Sequence, residues 1–222
     1  MDYLSYMTEN LKAIAVRPEF KRYAQENPSY AGHELEHALD VQKWSGELWR
    51  ERFGAMPPIA LEGAAEFHDC DRFYPKEKVD TSKVPKEQYE AEKIKHSKNC
   101  ARIFRRENPK LPRSLENDIS YMIERHEIGG DKINDAYVET TDEFTKSFNL
   151  NVSSNQLAEA DGISFFSVLL PVYMKWADSE KVANKIRFSF DKLSPLGKKI
   201  IRRIDYTDQE VRDTVLAVIG KS

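Results

Sequence analysis

Residues 61–71 read LEGAAEFHDCD, and this stretch decides how the chain is organised. Its first positions are mostly apolar and predict a helix, which ends at the adjacent pair His68-Asp69. An imidazole and a carboxylate are both common ligands of divalent metal ions. We therefore expect this pair to lie at the centre of a metal site, with the other segments of the chain arranged around it.

Length and composition indicate one helical domain. The chain has 222 residues, of which 40% are hydrophobic and 32% are charged, enough for a buried core and a soluble surface. Apolar residues recur at spacings of three and four, and glycine occurs only nine times, so the expected fold class is all-α. We expect a single domain over residues 1–222, with a metal-binding core over about 31–175 and helical extensions at both ends.

The expected helices run along most of the chain. We expect them over residues 3–26, 31–52, 59–67, 86–107, 114–126, 155–176 and 179–220, with two or three in the last segment. Pro18 suits a first helical turn, Gly129-Gly130 stops a helix, and Pro171 is expected to kink the long helix. Residues 131–153 are polar and expected to be irregular, with a short helix and loops, and the polar loop 73–85 is expected to border the substrate entrance.

Charge and cysteine content narrow the class of protein. The net charge is −3 and no basic block stands out, so we expect no binding of duplex nucleic acid. Cys70 and Cys100 are expected to be free, buried thiols in a reducing compartment. The first twenty residues lack the basic and apolar regions of a secretory signal, and the mostly apolar stretch 163–173 is shorter than a membrane span. We therefore expect a cytoplasmic protein without a membrane partner, whose oligomeric state the sequence leaves open.

Several polar residues fall on helix faces that are otherwise apolar. His37 stands four residues before Val41, and His126 shares a face with Ile119 and Met122. Asp161 lies within an apolar stripe, where an unpaired carboxylate would be costly, so we expect it to meet a cation, a metal or several donors.

Together these residues form a candidate ligand set for one or two divalent ions. Neutral imidazoles and carboxylates bind Zn, Mn, Fe, Ni and Mg, and a helical bundle builds an interior metal site from donors on separate helices. The expected metal ligands are His37, His68, Asp69, His96, His126 and Asp161.

The order of these residues resembles the HD-domain metal-dependent phosphohydrolase superfamily, whose signature is H…HD…D on successive helices. The resemblance covers about residues 31–175 and is carried by His37 in HALDV, by His68-Asp69 and by Asp161 in EADG. His96 and His126 resemble the extra histidines that help many members to hold a second metal or contact the substrate phosphate. The HEIGGD segment lacks a GYP-type motif, which disfavours the cyclic dinucleotide phosphodiesterases, and the sequence does not complete a second ligand set.

The resemblance implies hydrolysis of a phosphoester or phosphoanhydride in a nucleotide or another small phosphorylated metabolite. It implies an ion held by His37, His68, Asp69 and Asp161 that activates a water molecule. Asp71, or Glu66 as a second choice, is the expected proton-transfer group. The candidate phosphate contacts are Arg72, Lys76, Lys98, Arg102 and Arg125. Of these, Lys98 and Arg102 are the expected catalytic residues.

Three alternatives remain at this point. Residues 33–37 read HELEH and fit the H-E-x-x-H pattern of zinc peptidases, although Glu36 is unusual inside that motif and no third ligand follows at a recognised spacing. The same His and Asp donors would also permit a di-iron oxygenase of the HD fold. A non-catalytic HD binding module is the third alternative, and the intact ligand set argues against it.

Overall fold

The computed structural model describes residues 1–28, 31–79, 84–127, 150–206 and 208–220. Throughout these ranges the regular structure is helical and no strand occurs, which confirms the all-α fold class. The α-helices are α1 (Tyr3–Ala15), α2 (Pro18–Glu26), α3 (Glu34–Phe53), α4 (Ile59–Phe67), α5 (Tyr89–Glu107), α6 (Arg113–Arg125), α7 (Leu150–Ser164), α8 (Leu170–Met174), α9 (Ser179–Asp191), α10 (Pro195–Arg203) and α11 (Gln209–Ile219).

Local sequence signals explain where several helices begin and end. The carboxylate of Asp2 caps α1 by accepting from the main-chain N–H of Ser5, and Ser194 caps α10 by accepting from Gly197. Pro18 opens α2 at its first turn, as expected from its fixed φ. Gly54 ends α3 with φ of 63°, a left-handed conformation that glycine adopts without steric cost.

Helices α3, α4, α6 and α7 pack together and form the centre of the molecule, with α5 against α6 and α1 against α4. The apolar side of α4 faces the core, where Leu61 and Phe67 are fully buried. The ring of Phe67 packs against the ring of Phe104 on α5, with 5.3 Å between the centroids. The glycine of α4, Gly63, lets α1 approach closely, because a Cβ there would lie 2.6 Å from Cε of Met7. The predicted helix 59–67 is confirmed, and it ends immediately before His68-Asp69.

The inner side of α3 differs slightly from the expected stripe. Trp44 and Leu48 are buried as expected, whereas Leu35 and Leu39 are only partly buried. His37 and Val41 occupy the inner face in their place, at 1% and 0% exposure, which confirms that the imidazole of His37 points inward. The helix begins at Glu34 rather than at residue 31.

The long helix predicted over 155–176 begins earlier and contains an irregular turn. It starts at Leu150 and not at residue 155, so residues 150–153 belong to the long helix and not to the irregular segment expected before it. The hydroxyl of Ser154 donates to the carbonyl of Leu150 at 2.8 Å and supports this first turn. The expected disturbance near Pro171 is a π-helical turn over Phe165–Leu169, where the N–H of Leu170 donates to the carbonyl of Phe165. Proline has no N–H to donate, so the regular bonding pattern cannot continue through this region.

Other predicted boundaries differ by one turn or less. The segment 86–107 starts as a 3₁₀ turn, Lys86–Gln88, before α5, and the helix predicted over 114–126 is α6. The C-terminal segment contains α9, α10 and α11, which confirms two or three helices there. Cys70 and Cys100 are free and buried, as expected. Residues 80–83 of the predicted loop, Gly129-Gly130 and residues 131–149 lie outside the described residues.

One continuous helical segment is long and apolar enough to cross a membrane by length and composition alone. It runs over Val152–Met174, with a mean hydropathy of 1.3, although the apolar stretch expected from the sequence was shorter. Its most apolar window is 44% buried inside the fold, and core helices of soluble proteins meet the same test. The cytoplasmic location therefore stays a prediction.

Candidate metal centre

The first group of metal ligands joins α3, the end of α4 and α7. His37, His68 and Asp69 place ligand atoms within 4.8 Å of one another. The Oδ1 atom of Asp161 completes the group, at 3.1 Å from Nε2 of His37 and 3.6 Å from Nε2 of His68. The side chains of His37, His68 and Asp69 are buried, whereas 40% of the Asp161 side chain is exposed. Asp161 therefore lies on the open side of this group.

The second group shares Asp69 with the first. The Oδ1 atom of Asp69 lies 2.8 Å from Nε2 of His96 and 3.8 Å from Nε2 of His126, and these three residues form a second set of convergent donors. The other carboxylate oxygen, Oδ2, faces the first group, at 3.6 Å from Nε2 of His68 and 3.9 Å from Nε2 of His37. The carboxylate of Asp69 therefore belongs to both groups of possible ligands and would lie between two ions if both groups were occupied. We name the six candidate ligands the metal-ligand cluster: His37, His68, Asp69, His96, His126 and Asp161.

Hydrogen bonds on the outer side of each ring fix which nitrogen faces the centre. His68 donates its Nδ1 proton to the carbonyl of Ala65 at 2.8 Å, and His126 donates in the same way to Ile123 at 2.7 Å. His37 donates from Nδ1 to the hydroxyl of Ser164 at 3.0 Å, which can in turn donate to the carbonyl of His37. Each Nε2 atom therefore faces the centre of the site, the arrangement that supporting hydrogen bonds produce in protein metal sites.

The geometry of the first group fits a metal ion. The Nε2 atom of His68 is buried and has no hydrogen-bond partner, an arrangement that is costly unless the nitrogen meets another group. Donors bound to one ion at about 2.1 Å lie about 3.0–3.4 Å apart. The separations of 3.1 Å from His37 and 3.6 Å from His68 to Asp161 are close to that range. The residues present therefore suit a divalent ion.

The charges of the metal-ligand cluster are strongly coupled. Burial opposes ionisation of Asp69, but the guanidinium of Arg72 and the imidazole of His68 hold the pKa of its carboxyl well below the usual range. The nearby imidazoles of His37 and His68 outweigh desolvation and likewise lower the pKa of Asp161. Both aspartates are anionic at neutral pH, as a metal ligand must be.

The nearby acidic groups raise the pKa of two of the histidines. Burial acts to lower the pKa of His68, yet the carboxylates of Asp69 and Asp161 raise it to about 9. Burial also acts to lower the pKa of His96, but Cys100 and the hydrogen bonds to Asp69 and Asp71 raise it. In the metal-free protein these rings hold protons that a bound ion would replace.

Asp71 supports the second group from behind. It is fully buried, and its Oδ2 atom accepts from Nδ1 of His96 at 3.1 Å, from Nδ2 of Asn99 at 3.2 Å and from the main-chain N–H of Val79 at 3.1 Å. Asp71, His96 and Cys100 form a third group of possible ligands. Because Asp71 holds the outer nitrogen of His96, the structure places it as a positioning residue. The expected proton transfer from Asp71 to substrate would require a side chain that faces the open side.

Arg72 and Glu34 complete the surroundings of Asp69. Nη2 of Arg72 lies 2.7 Å from Oδ2 of Asp69, and Nη1 lies 3.8 Å from Oε1 of Glu34. Glu34 is only 5% exposed, and this burial raises the pKa of its carboxyl, although the positive charge of Arg72 acts to lower that pKa. Sequence reasoning missed Glu34, whose only signal was its place beside a histidine at the start of α3.

The structure does not bring two of the expected catalytic residues to the metal-ligand cluster. Arg102 is half-exposed and forms an ion pair with Glu77 and a hydrogen bond with Asn99. Lys98 is exposed, and it follows His96 by two positions, about 200° around the helix. Among the other basic candidates, Lys76 is exposed and the guanidinium of Arg125 lies 4.0 Å from the ring of Tyr121.

The two histidines of the H-E-x-x-H motif, His33 and His37, do not lie at one site in the fold. His33 precedes the first residue of α3, and its Nδ1 lies 3.1 Å from the carboxylate of Glu36. The H-E-x-x-H arrangement needs both histidines on one helix face. Here His37 belongs to the metal-ligand cluster, whereas His33 is turned toward the surface.

A group of basic residues lies beside the metal-ligand cluster, and sequence reasoning missed most of it. Nζ of Lys93 on α5 pairs with the carboxylate of Glu127 at 3.0 Å. The charges of Lys185 on α9 and of Lys192, which directly follows α9, interact with those of Asp161, Glu127 and Lys93. We name these residues the basic cluster: Arg72, Lys93, Lys185 and Lys192. No local motif marks Lys185 or Lys192, because only tertiary packing relates them to the ligands.

Comparisons of the chain with models of known protein families, with curated proteins and with solved structures gave no match. A function for this chain therefore has to be argued from the metal-ligand cluster and its surroundings.

Proposed function

We propose that the protein is a metal-dependent phosphohydrolase of the HD type that acts on a nucleotide or another small phosphorylated metabolite. The observation that carries the proposal is that Asp69 faces two groups of buried donors, His37 and His68 through Oδ2, and His96 and His126 through Oδ1. The order of these residues along the chain agrees with the H…HD…D signature. When bound, divalent ions supply Lewis-acid polarisation of a phosphoryl oxygen and lower the pKa of water.

The residues of the chain would have distinct tasks in this reaction. The outer hydrogen bonds of His37, His68 and His126 hold each ring with Nε2 inward, so no reorientation is needed when an ion binds. Asp161 is the most exposed ligand and marks the side from which substrate and water reach the site. Arg72 offsets the charge of Asp69.

The charge around the site supports an anionic substrate. The chain as a whole carries a net charge of −3, yet the charges of four basic residues act on the site; Arg72 and Lys93 are paired with acids, whereas Lys185 and Lys192 form no ion pair within the described residues. Cations placed around a phosphoryl group stabilise the charge that spreads over its oxygens during transfer. This local concentration of basic residues favours phosphohydrolysis over reactions of uncharged substrates.

The same ligand set would also hold two irons, so an HD-type oxygenase is the second candidate. The two are separated by assaying purified protein, loaded in turn with Mn, Fe, Ni, Zn or Mg, against a panel of nucleotides and small phosphate esters. Release of inorganic phosphate supports the hydrolase, and oxygen uptake with the iron-loaded protein supports the oxygenase. Protein that holds metal and shows neither reaction across the panel would contradict both.

The matched variants are Asp161→Asn and, as control, Asp178→Asn, an exposed aspartate that caps α9 and forms an ion pair with Lys181. Asp161→Asn is expected to lose metal and turnover together, whereas Asp178→Asn is expected to keep both. Retained turnover in Asp161→Asn would refute the assignment of this site.

A further inference from the structure

The basic cluster contains two cations that are paired with acids, Arg72 and Lys93, and two, Lys185 and Lys192, that form no ion pair within the described residues. Arg72 is held by Asp69 and Glu34, and Lys93 is held by the side chain and the carbonyl of Glu127. Within the described part of the chain, Lys185 forms no ion pair with an acid. Its charge is therefore available to another anion.

Aromatic rings fix where the ammonium group of Lys185 lies. Nζ is 5.1 Å from the ring centroid of Phe165 and 5.7 Å from that of Phe188. Phe165 begins the π-helical turn and directly follows Ser164, the residue that accepts the Nδ1 proton of His37. The ring that supports Lys185 is thus attached to the same turn of helix that supports the first ligand group. A cation over an aromatic face is attracted to it and loses part of its freedom.

The electrostatic surroundings agree with this position. The side chain of Lys185 is exposed as a whole, but partial loss of water around the ammonium group lowers its pKa, and the carboxylates of Asp161 and Glu127 oppose that change. Phe165, whose ring lies beneath Nζ of Lys185, follows Asp161 by four positions, about one helical turn, so the ammonium group lies on the side of the helix that carries Asp161. An anion that approached Asp161 from this side would enter the field of Lys185.

We propose that Lys185 binds an anionic oxygen of the substrate, such as a phosphoryl oxygen, at the open side of the metal-ligand cluster beside Asp161. This inference rests on the proposed phosphohydrolase function and adds to it a specific substrate contact from α9. Helix α9 would then be part of the active site, and not only part of the C-terminal extension. The chemical class of ligand is a phosphate mono- or diester, or inorganic phosphate as product.

The test measures binding of inorganic phosphate by the Mn-loaded full-length chain in titration calorimetry. The variants are Lys185→Gln, Lys185→Arg, which keeps the positive charge, and Arg187→Gln, an exposed cation two positions along the same helix that serves as control. Lys185→Gln is expected to weaken phosphate binding about tenfold or more, the usual effect of losing a charge-assisted hydrogen bond. Lys185→Arg and Arg187→Gln are expected to bind within about threefold of wild type.

Metal content is measured on each sample and is expected to be unchanged in Lys185→Gln. Equal phosphate affinity in wild type and Lys185→Gln would overturn the inference, as would equal weakening in Arg187→Gln or no phosphate binding by wild type. The outcome is separable from the proposed function. Phosphate binding that depends on Lys185, without turnover of any compound on the panel, would support the contact and reject the hydrolase. Turnover with an unchanged KM in Lys185→Gln would support the hydrolase and reject the contact.

Discussion

Asp71 lies 3.1 Å behind His96, with its Oδ2 atom on the outer ring nitrogen while the inner nitrogen faces Asp69 at 2.8 Å. The two aspartates of the HDCD sequence thus hold one histidine from opposite sides. A carboxylate in this outer position fixes the ring and increases the basicity of the metal-facing nitrogen. The acid that follows the HD pair by two positions therefore has a supporting task in this geometry.

The first prediction concerns this support. Asp71→Asn is expected to weaken metal binding at the second group by about 10–100-fold, because the amide keeps an acceptor for His96 but loses the negative charge. The affinity is measured by competition with a fluorescent chelator. Asp191→Asn, at an exposed position of α9, is the control and is expected to bind metal like wild type. Wild-type metal affinity in Asp71→Asn would remove Asp71 from the site.

The second prediction follows from the shared position of Asp69. Asp69→Ala is expected to bind no ion, since both groups lose their common ligand. His126→Gln, by contrast, is expected to keep one ion at the His37 and His68 group. The number of ions per chain is measured by plasma mass spectrometry on dialysed protein. Equal metal content in wild type and Asp69→Ala would show that the carboxylate bridges nothing.

A third prediction concerns a buried acid outside the metal-ligand cluster. Burial raises the pKa of Glu66 to about 7, and its carboxyl accepts a hydrogen bond from Thr8 of α1. A raised carboxyl pKa means that the folded state binds this proton more tightly than the unfolded state, so the fold is favoured at low pH and loses stability as pH rises through 7. Because one pKa unit corresponds to about 1.4 kcal/mol, the loss is about 3 kcal/mol between pH 4 and pH 9.

Glu66→Gln removes this titration. Relative to wild type, the variant is expected to gain stability between pH 5 and pH 8.5, with about 3 kcal/mol as the upper limit of the difference. Urea unfolding at each pH in the presence of a chelator measures it, with Glu19→Gln as an exposed control. A difference between wild type and Glu66→Gln that does not change with pH would contradict the prediction.

The fourth prediction links the core to the site. Phe67 is fully buried against Phe104 and stands one residue before His68. Phe67→Ala is expected to cost about 3–5 kcal/mol of unfolding free energy, because it removes a large side chain and leaves a cavity. Phe67→Leu fills most of that space and is expected to cost less. Urea unfolding of metal-free protein measures both, and a cost below about 1 kcal/mol for Phe67→Ala would show that this part of the core is loosely packed.

The sequence predicted the helical framework and the inward position of the candidate ligand rings, because both depend on short-range periodicity. The spacing of His37 from Val41, and of His126 from Ile119 and Met122, places these rings inward on any regular helix. The predicted ligands are thereby brought together by ordinary helix packing. Neither the shared role of Asp69 nor the completed second group was visible, since each depends on how α4, α5 and α6 meet.

The residues around the ligands were predicted less well, for a physical reason. Lys98 and Arg102 were chosen because they share a helix with His96, but they follow this inward residue by two and six positions, about 200° and 240° around the helix, and so point away from its face. Lys185 approaches the site from a distant segment through tertiary packing, which leaves no local pattern in the sequence, whereas the only signal of Glu34 was its place beside a histidine at the start of α3. The early start of α7 was missed because its polar serines resemble a loop, although Ser153 and Ser154 are buried.

In the proposed site, Asp69 bridges two divalent ions held by histidines from several helices. Anomalous scattering from crystals of Mn-loaded protein, measured at the Mn absorption edge, tests this arrangement. Two peaks are expected, one between Asp69, His37, His68 and Asp161, and the other between Asp69, His96 and His126. Fully loaded crystals with no peak within about 3 Å of the Asp69 carboxylate would contradict it.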